Sequence, residues 1–116
     1  MKIEGDAKLL RIFVGETDKI GAVTVHEKIV MAARKAGLAG ATAYKGIMGF
    51  GGNSRIHTNK VLALSEDLPI VIEVVDAKEK IEEFCEIVNA LFEEANCGGL
   101  ITIEKAEIIK YTPNKK

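Results

Sequence analysis

Pro69-Ile70-Val71-Ile72-Glu73-Val74-Val75-Asp76-Ala77-Lys78-Glu79-Lys80-Ile81 is the stretch from which the fold is read. Ile70 to Val75 is a near-continuous aliphatic run between a proline and an aspartate, the pattern of a central strand buried on both faces. The period then changes from two to 3.6. Ile81, Phe84, Cys85, Val88, Leu91, Phe92 and Ala95 mark one helical stripe, and Asp76 with Glu79 three residues on predicts a cap for the first turn. Asn96-Cys97-Gly98-Gly99 stops this helix, and Leu100 to Ile103 and Ala106 to Tyr111 return to strand-like composition. The tail from Thr112 to Lys116 is expected to fray.

Working back toward the N-terminus, Ala7 to Val14 reads as a strand closed by Gly15, and Glu16 to Ala22 as loop. Thr24 and Glu27 form a capping box for a helix. Its apolar positions are Val25, Ile29, Ala32, Ala33 and Ala36, and Gly37 ends it. Ala41 to Met48 reads as a further strand, after which the composition changes to Gly49-Phe50-Gly51-Gly52-Asn53-Ser54-Arg55, and Val61 to Leu64 is expected to pair briefly as the loop returns. The order strand, helix, strand, strand, helix, strand predicts an α+β, ferredoxin-like βαββαβ fold, an antiparallel sheet with two helices on one face. One domain spans 1–116, because no second composition regime exists.

Hydrophobic residues make up 47% of the chain but aromatics only 5%, so the core is aliphatic. Sixteen basic against seventeen acidic residues give no field to concentrate a polyanion, which argues against nucleic acid as a partner. The longest apolar run is far too short to cross a bilayer, and the N-terminus has no apolar segment before its first acid, so a cytoplasmic protein is expected. The helix-free sheet face would be an exposed apolar patch unless covered, which predicts a homo-oligomer.

Gly46, Gly49, Gly51 and Gly52 let backbone N–H groups approach a phosphate closely, although a hairpin tip uses glycine for the same freedom. Neither a Rossmann fingerprint nor a P-loop is present. Gly98-Gly99 forms a second glycine turn, and Lys45, Arg55, Lys60 and Lys110 supply cations near strand ends, a combination that suits phosphate. No spacing pairs a Cys or Ser with His26 or His57 and a carboxylate, so no enzyme activity is expected. Cys85 and Cys97 lack metal or redox spacing. Glu73 stands alone in an aliphatic strand, where it needs a partner at a strand edge, across a subunit boundary or on a ligand.

Gly49-Phe50-Gly51 with His57-Thr58, Leu68-Pro69 leading to Ile72-Glu73-Val74-Val75, and Gly98-Gly99-Leu100-Ile101 with Ile108-Ile109-Lys110 resemble the PII signal-transduction proteins. A widespread PII-like family of unassigned function is similar around Lys8 to Phe13 and Gly46 to Gly51. The resemblance implies a homotrimer that binds an adenine nucleotide, ADP or ATP, in the cleft between subunits, with no obligatory cofactor. It further implies signalling through the 49–60 loop to a target protein, for which a membrane transporter is the family's suggestion. By the same resemblance Gly49, Phe50 and Gly51 approach the nucleotide, Glu73 and Val75 line the base pocket, Gly98 and Gly99 lie near the phosphates, and Lys110 reaches across the subunit boundary. Gly99 stands where the family usually carries a phosphate-binding lysine, and Arg55, or else Lys45 or Lys60, is the candidate to replace that charge. Glutamine is absent from the chain, so the family's 2-oxoglutarate site does not carry over. The alternative is a trimeric metal-binding protein resembling the divalent-cation tolerance proteins, for which the ligands are scattered.

Overall fold

The computed structural model describes residues 5–49 and 67–113. Strands β1 (Gly5–Gly15), β4 (Thr42–Lys45), β5 (Pro69–Asp76) and β6 (Leu100–Ile108) form one sheet, in the order β4-β5-β1-β6 with every neighbour antiparallel. Helices α1 (Val25–Lys35) and α2 (Lys78–Ala95) connect β1 to β4 and β5 to β6. This is the expected α+β, ferredoxin-like arrangement.

The register explains the core. Leu10, Ile12 and Val14 of β1 alternate toward the helices with Ile70, Ile72 and Val74 of β5. They meet Val25, Ile29 and Ala33 of α1 and Ile81, Phe84 and Val88 of α2. Phe84 is the largest fully buried side chain, and truncating it to alanine costs about 3–5 kcal/mol.

Helix α1 begins as its sequence dictates. The Thr24 hydroxyl accepts from Glu27 N–H and donates to the Glu27 carboxylate at 2.8 Å, and Gly37 follows the helix at φ +81. Helix α2 begins differently from the expectation. Its N-cap is Ala77, which forms no side-chain cap, because Asp76 is fully buried and turned to another task. The Asp76 carboxylate accepts from Ala77 N–H at 2.6 Å and from Ala39 N–H at 2.8 Å, pinning the α1–β4 connection to the end of β5. Asn96, in the left-handed region at φ 52, ends α2.

Three further boundaries move. Within the expected 16–22 loop, β2 (Lys19–Ile20) pairs with β3 (Val23–Thr24) around Gly21, whose φ of +63 makes the tight reversal. Strand β4 is four residues long rather than running to Met48: Gly46 N–H still bonds the Pro69 carbonyl at 2.8 Å, but Pro69 has no N–H to return and the chain bends at Ile47 and Met48. The two C-terminal strand segments are one, Leu100–Ile108, paired with β1 throughout. The expected pairing of 61–64 lies outside the described residues.

Candidate functional site

The sheet face away from the helices is less aliphatic than the sequence suggests. Register puts Leu9, Arg11 and Phe13 of β1 on this face with Val71, Glu73 and Val75 of β5, Thr42 and Tyr44 of β4, and Leu100, Thr102 and Glu104 of β6. Arg11 joins the strands: its Nε donates to Glu73 Oε2 and its Nη1 to Glu104 Oε2, each at 2.8 Å. Tyr44 O–H donates to the same Glu73 oxygen at 2.8 Å. Each of the four strands thus contributes one polar group to a single network.

Glu73 therefore does not lie at a strand edge, and its partners belong to its own chain. Hydrogen bonds from Arg11 and then Tyr44 hold its carboxyl below the usual carboxylate range, against a smaller opposing effect of burial. The same bond from Tyr44 to Glu73 raises the phenol above its ordinary value. A sequence signal for this network exists in retrospect, because Arg11 is the lone charge within Leu9–Val14 just as Glu73 is within Ile70–Val75.

Beside this network lies an open cavity of about 340 Å³. Glu73 and Val75 of β5, Ala39 and Thr42 at the entry to β4, and Lys110 and Tyr111 beyond β6 are among its walls. The C-terminal segment crosses the end of the sheet to make it, and Tyr111 O–H donates to the Ala39 carbonyl at 3.3 Å. Ala39 is thus held from two sides, by Asp76 at its N–H and by Tyr111 at its carbonyl. Sequence reasoning missed Ala39, Thr42 and Tyr111, which no local pattern ties to Glu73.

Three of the expected site residues, Glu73, Val75 and Lys110, meet in this cavity. Gly49 and Gly99 do not. Gly49 follows β4, where a Cβ would stand 3.0 Å from Pro69 Cγ, and Gly46 is similarly tight at 2.9 Å. Gly98 and Gly99 precede β6 at the opposite edge of the sheet. A Cβ on Gly99 would meet Phe92 Cε2 at 2.6 Å and the Phe13 carbonyl oxygen at 2.7 Å. The glycine is therefore required by packing, and a lysine has no room there. Phe50, Gly51 and Arg55 lie outside the described residues, as do Lys60 and His57.

Lys45 is engaged rather than open, its Nζ 2.8 Å from Glu16 Oε2, and this bond lowers the Glu16 pKa. Cys85 and Cys97 are half-buried, and burial raises both thiol pKa values. Among the described residues no group of three or more His, Cys, Asp or Glu side chains is placed to hold a metal ion. Among them also, no helix is long and apolar enough to cross a membrane.

Residues 7–108 match the model of the DUF190 family, described as "Uncharacterized ACR". A UPF0166 protein of Aquifex aeolicus (strain VF5) is 35% identical over 102 residues, 88% of this chain and 92% of that one. The chain belongs to the DUF190 family. The fold of this DUF190 chain is similar to that of CPII from Thiomonas intermedia K12, solved bound to ADP, AMP and acetate, with a TM-score of 0.66, 17% identity, and 95% and 94% of the two chains covered. It is likewise similar to a PII-like signalling protein from Thermus thermophilus, with a TM-score of 0.64, 13% identity, and 93% and 94% covered. The DUF190 chain is thus PII-like in fold, as the glycine turns and the element order suggest.

Proposed function

We propose that this DUF190 chain is a nucleotide-sensing regulatory protein, a homotrimer that binds an adenine nucleotide, ADP or ATP, between subunits. The observation that carries the reading is the cavity that gathers Glu73, Val75 and Lys110 on a PII-like fold. Nucleotides in the CPII structure support it. Glu73 offers a carboxylate to an amino or hydroxyl donor, and Lys110 offers an ammonium to a phosphate. Both are roles in binding, so the protein acts through occupancy and not through turnover. The 49–60 loop signals by ordering on nucleotide binding, and a target protein reads that change.

The test is calorimetric titration with ATP, ADP, AMP and cyclic AMP, together with the mass in solution. Saturable binding of an adenine nucleotide by a species of three 12.6 kDa chains is the expected result. Lys110→Gln is expected to weaken it by roughly tenfold, the loss of one charge-assisted hydrogen bond. A monomer, or no saturation by any of the four at millimolar concentration, refutes the reading.

A further inference from the structure

A second cavity, of about 170 Å³, lies where the beginnings of β1 and α2 meet the later part of β6. It is lined by Asp6, Ala7, Lys8, Lys78, Lys105 and Ala106, and shares no residue with the cavity around Glu73. Lys8 and Lys105 are directly opposite each other in the β1–β6 ladder, on the side of the sheet that carries the helices. Like charges in that relation destabilise a strand pair. The next pair along, Ala7 with Ala106, turns its side chains to the opposite face, so only its backbone stands beside the two lysines.

Three carboxylates, Asp76, Asp6 and Glu107, stand on the same side of the sheet, and among the described residues none is paired with Lys8 or Lys105. Asp76 stands opposite Lys8 on the β5 side, but its two oxygens accept from Ala39 and Ala77 N–H groups. Asp6 reaches the cavity wall and faces Glu107 across the ladder. Among the described residues neither Lys8 nor Lys105 is in an ion pair, and Lys78 has only Glu82, at a long 3.9 Å. Three lysines therefore line one small cavity with Asp6 as the single acid in its wall.

We propose that this cavity binds a small oxyanion of the phosphate type, held by Lys8, Lys78 and Lys105. The anion replaces the repulsion between Lys8 and Lys105 with two charge-assisted hydrogen bonds, and Lys78 closes it from the helix. Lysine suits the role because its ammonium is a compact point charge with freely rotating donors. At about 30 Å³ per water, the volume takes such an anion with a few waters of its shell. The source is either a free anion or the phosphoryl group of a larger molecule.

Thermal unfolding and calorimetric titration of the full chain with sodium phosphate, against sodium chloride at equal ionic strength, test the proposal. Phosphate is expected to bind saturably and to raise the unfolding temperature beyond chloride. The Lys8→Gln/Lys105→Gln variant is expected to bind it roughly tenfold or more weakly, as the loss of charge-assisted bonds implies. Lys110→Gln, altered in the other cavity, is expected to keep the phosphate response. A ribose 5-phosphate arm separates the sources: a response lost with the two lysines assigns the site to a phosphoryl group, and a response to phosphate alone assigns it to the free anion. Equal responses to phosphate and chloride, or a phosphate response that survives the double substitution, overturn the proposal. Because Lys110→Gln probes nucleotide binding independently, failure here leaves the nucleotide reading standing.

Discussion

Gly99→Ala is the substitution whose outcome the geometry states most sharply. The new Cβ would stand 2.6 Å from Phe92 Cε2 and 2.7 Å from the Phe13 carbonyl oxygen, well inside the 3.4 to 4 Å of ordinary contact. The ring can tilt, but the carbonyl belongs to the β1 backbone, and β6 starts one residue later with Leu100 paired to Phe13. Relief therefore means moving the start of β6 away from β1 by most of an ångström, which spoils that pair. Overpacking of this kind costs about 1–3 kcal/mol. Taking about 2 kcal/mol and a urea slope near 2 kcal/mol/M, the unfolding midpoint falls by about 1 M. Urea unfolding followed by circular dichroism, at one fixed protein concentration, reads this directly. Gly40→Ala is the control, since its Cβ meets nothing within 4 Å and its backbone is not left-handed. It is expected to leave stability unchanged or slightly raised. A Gly99→Ala midpoint equal to that of the wild type would refute the claim that packing demands this glycine, and would reopen the position to the lysine seen in PII proteins.

Two further outcomes follow from the sheet. Because Arg11 and then Tyr44 depress the folded pKa of Glu73, the stability this carboxylate contributes is complete above its unfolded value of about 4.3 and is lost as pH falls through the lower folded value. Acid unfolding curves of Arg11→Gln are expected to show a smaller loss over that interval, and identical curves would remove Arg11 as the main cause. Gly46→Ala would bring a Cβ within 2.9 Å of the Pro69 ring, so it is expected to destabilise by about 1–3 kcal/mol. In a Pro69→Ala background the penalty should shrink, and a double-mutant cycle without coupling would refute the contact.

How much was legible in the sequence depends on whether the cause was local. The aliphatic run of β5, the helical stripe from Ile81 to Ala95 and the Thr24–Glu27 box are periodic or adjacent signals, and each formed the element it suggests. Asp76 shows where such signals fail. Its spacing to Glu79 is that of a cap, yet the competing donor is Ala39 N–H, thirty-seven residues earlier in the chain. Strand β4 stops short of its aliphatic tail for the same reason, since Pro69, distant in the chain, offers Gly46 no N–H to continue the ladder. Glu73 was conspicuous as a lone charge, but only the register against Arg11 supplies its partner. Tyr111 carries no signal at all until the C-terminal segment is seen to cross the sheet and reach Ala39.

The candidate site divides along the same line, and the division bears on assembly. Glu73, Val75 and Lys110 meet within one chain, whereas Gly49 and Gly99 flank the two outer strands, with β5 and β1 between them. At about 4.8 Å per strand spacing, those edges are roughly 14 Å apart across the sheet. One phosphate cannot touch both turns in a single subunit. If both turns act on one ligand, as the resemblance to PII proteins implies, a neighbouring chain must bring the second, and binding and assembly become a single equilibrium. Dilution should then weaken nucleotide binding, and saturating nucleotide should hold the trimer together at concentrations where the free protein dissociates. Light scattering and titration over a hundredfold range of protein concentration measure both effects. An affinity that stays constant after the protein has become monomeric would confine the nucleotide to the cavity of one chain and take the glycine turns out of the site.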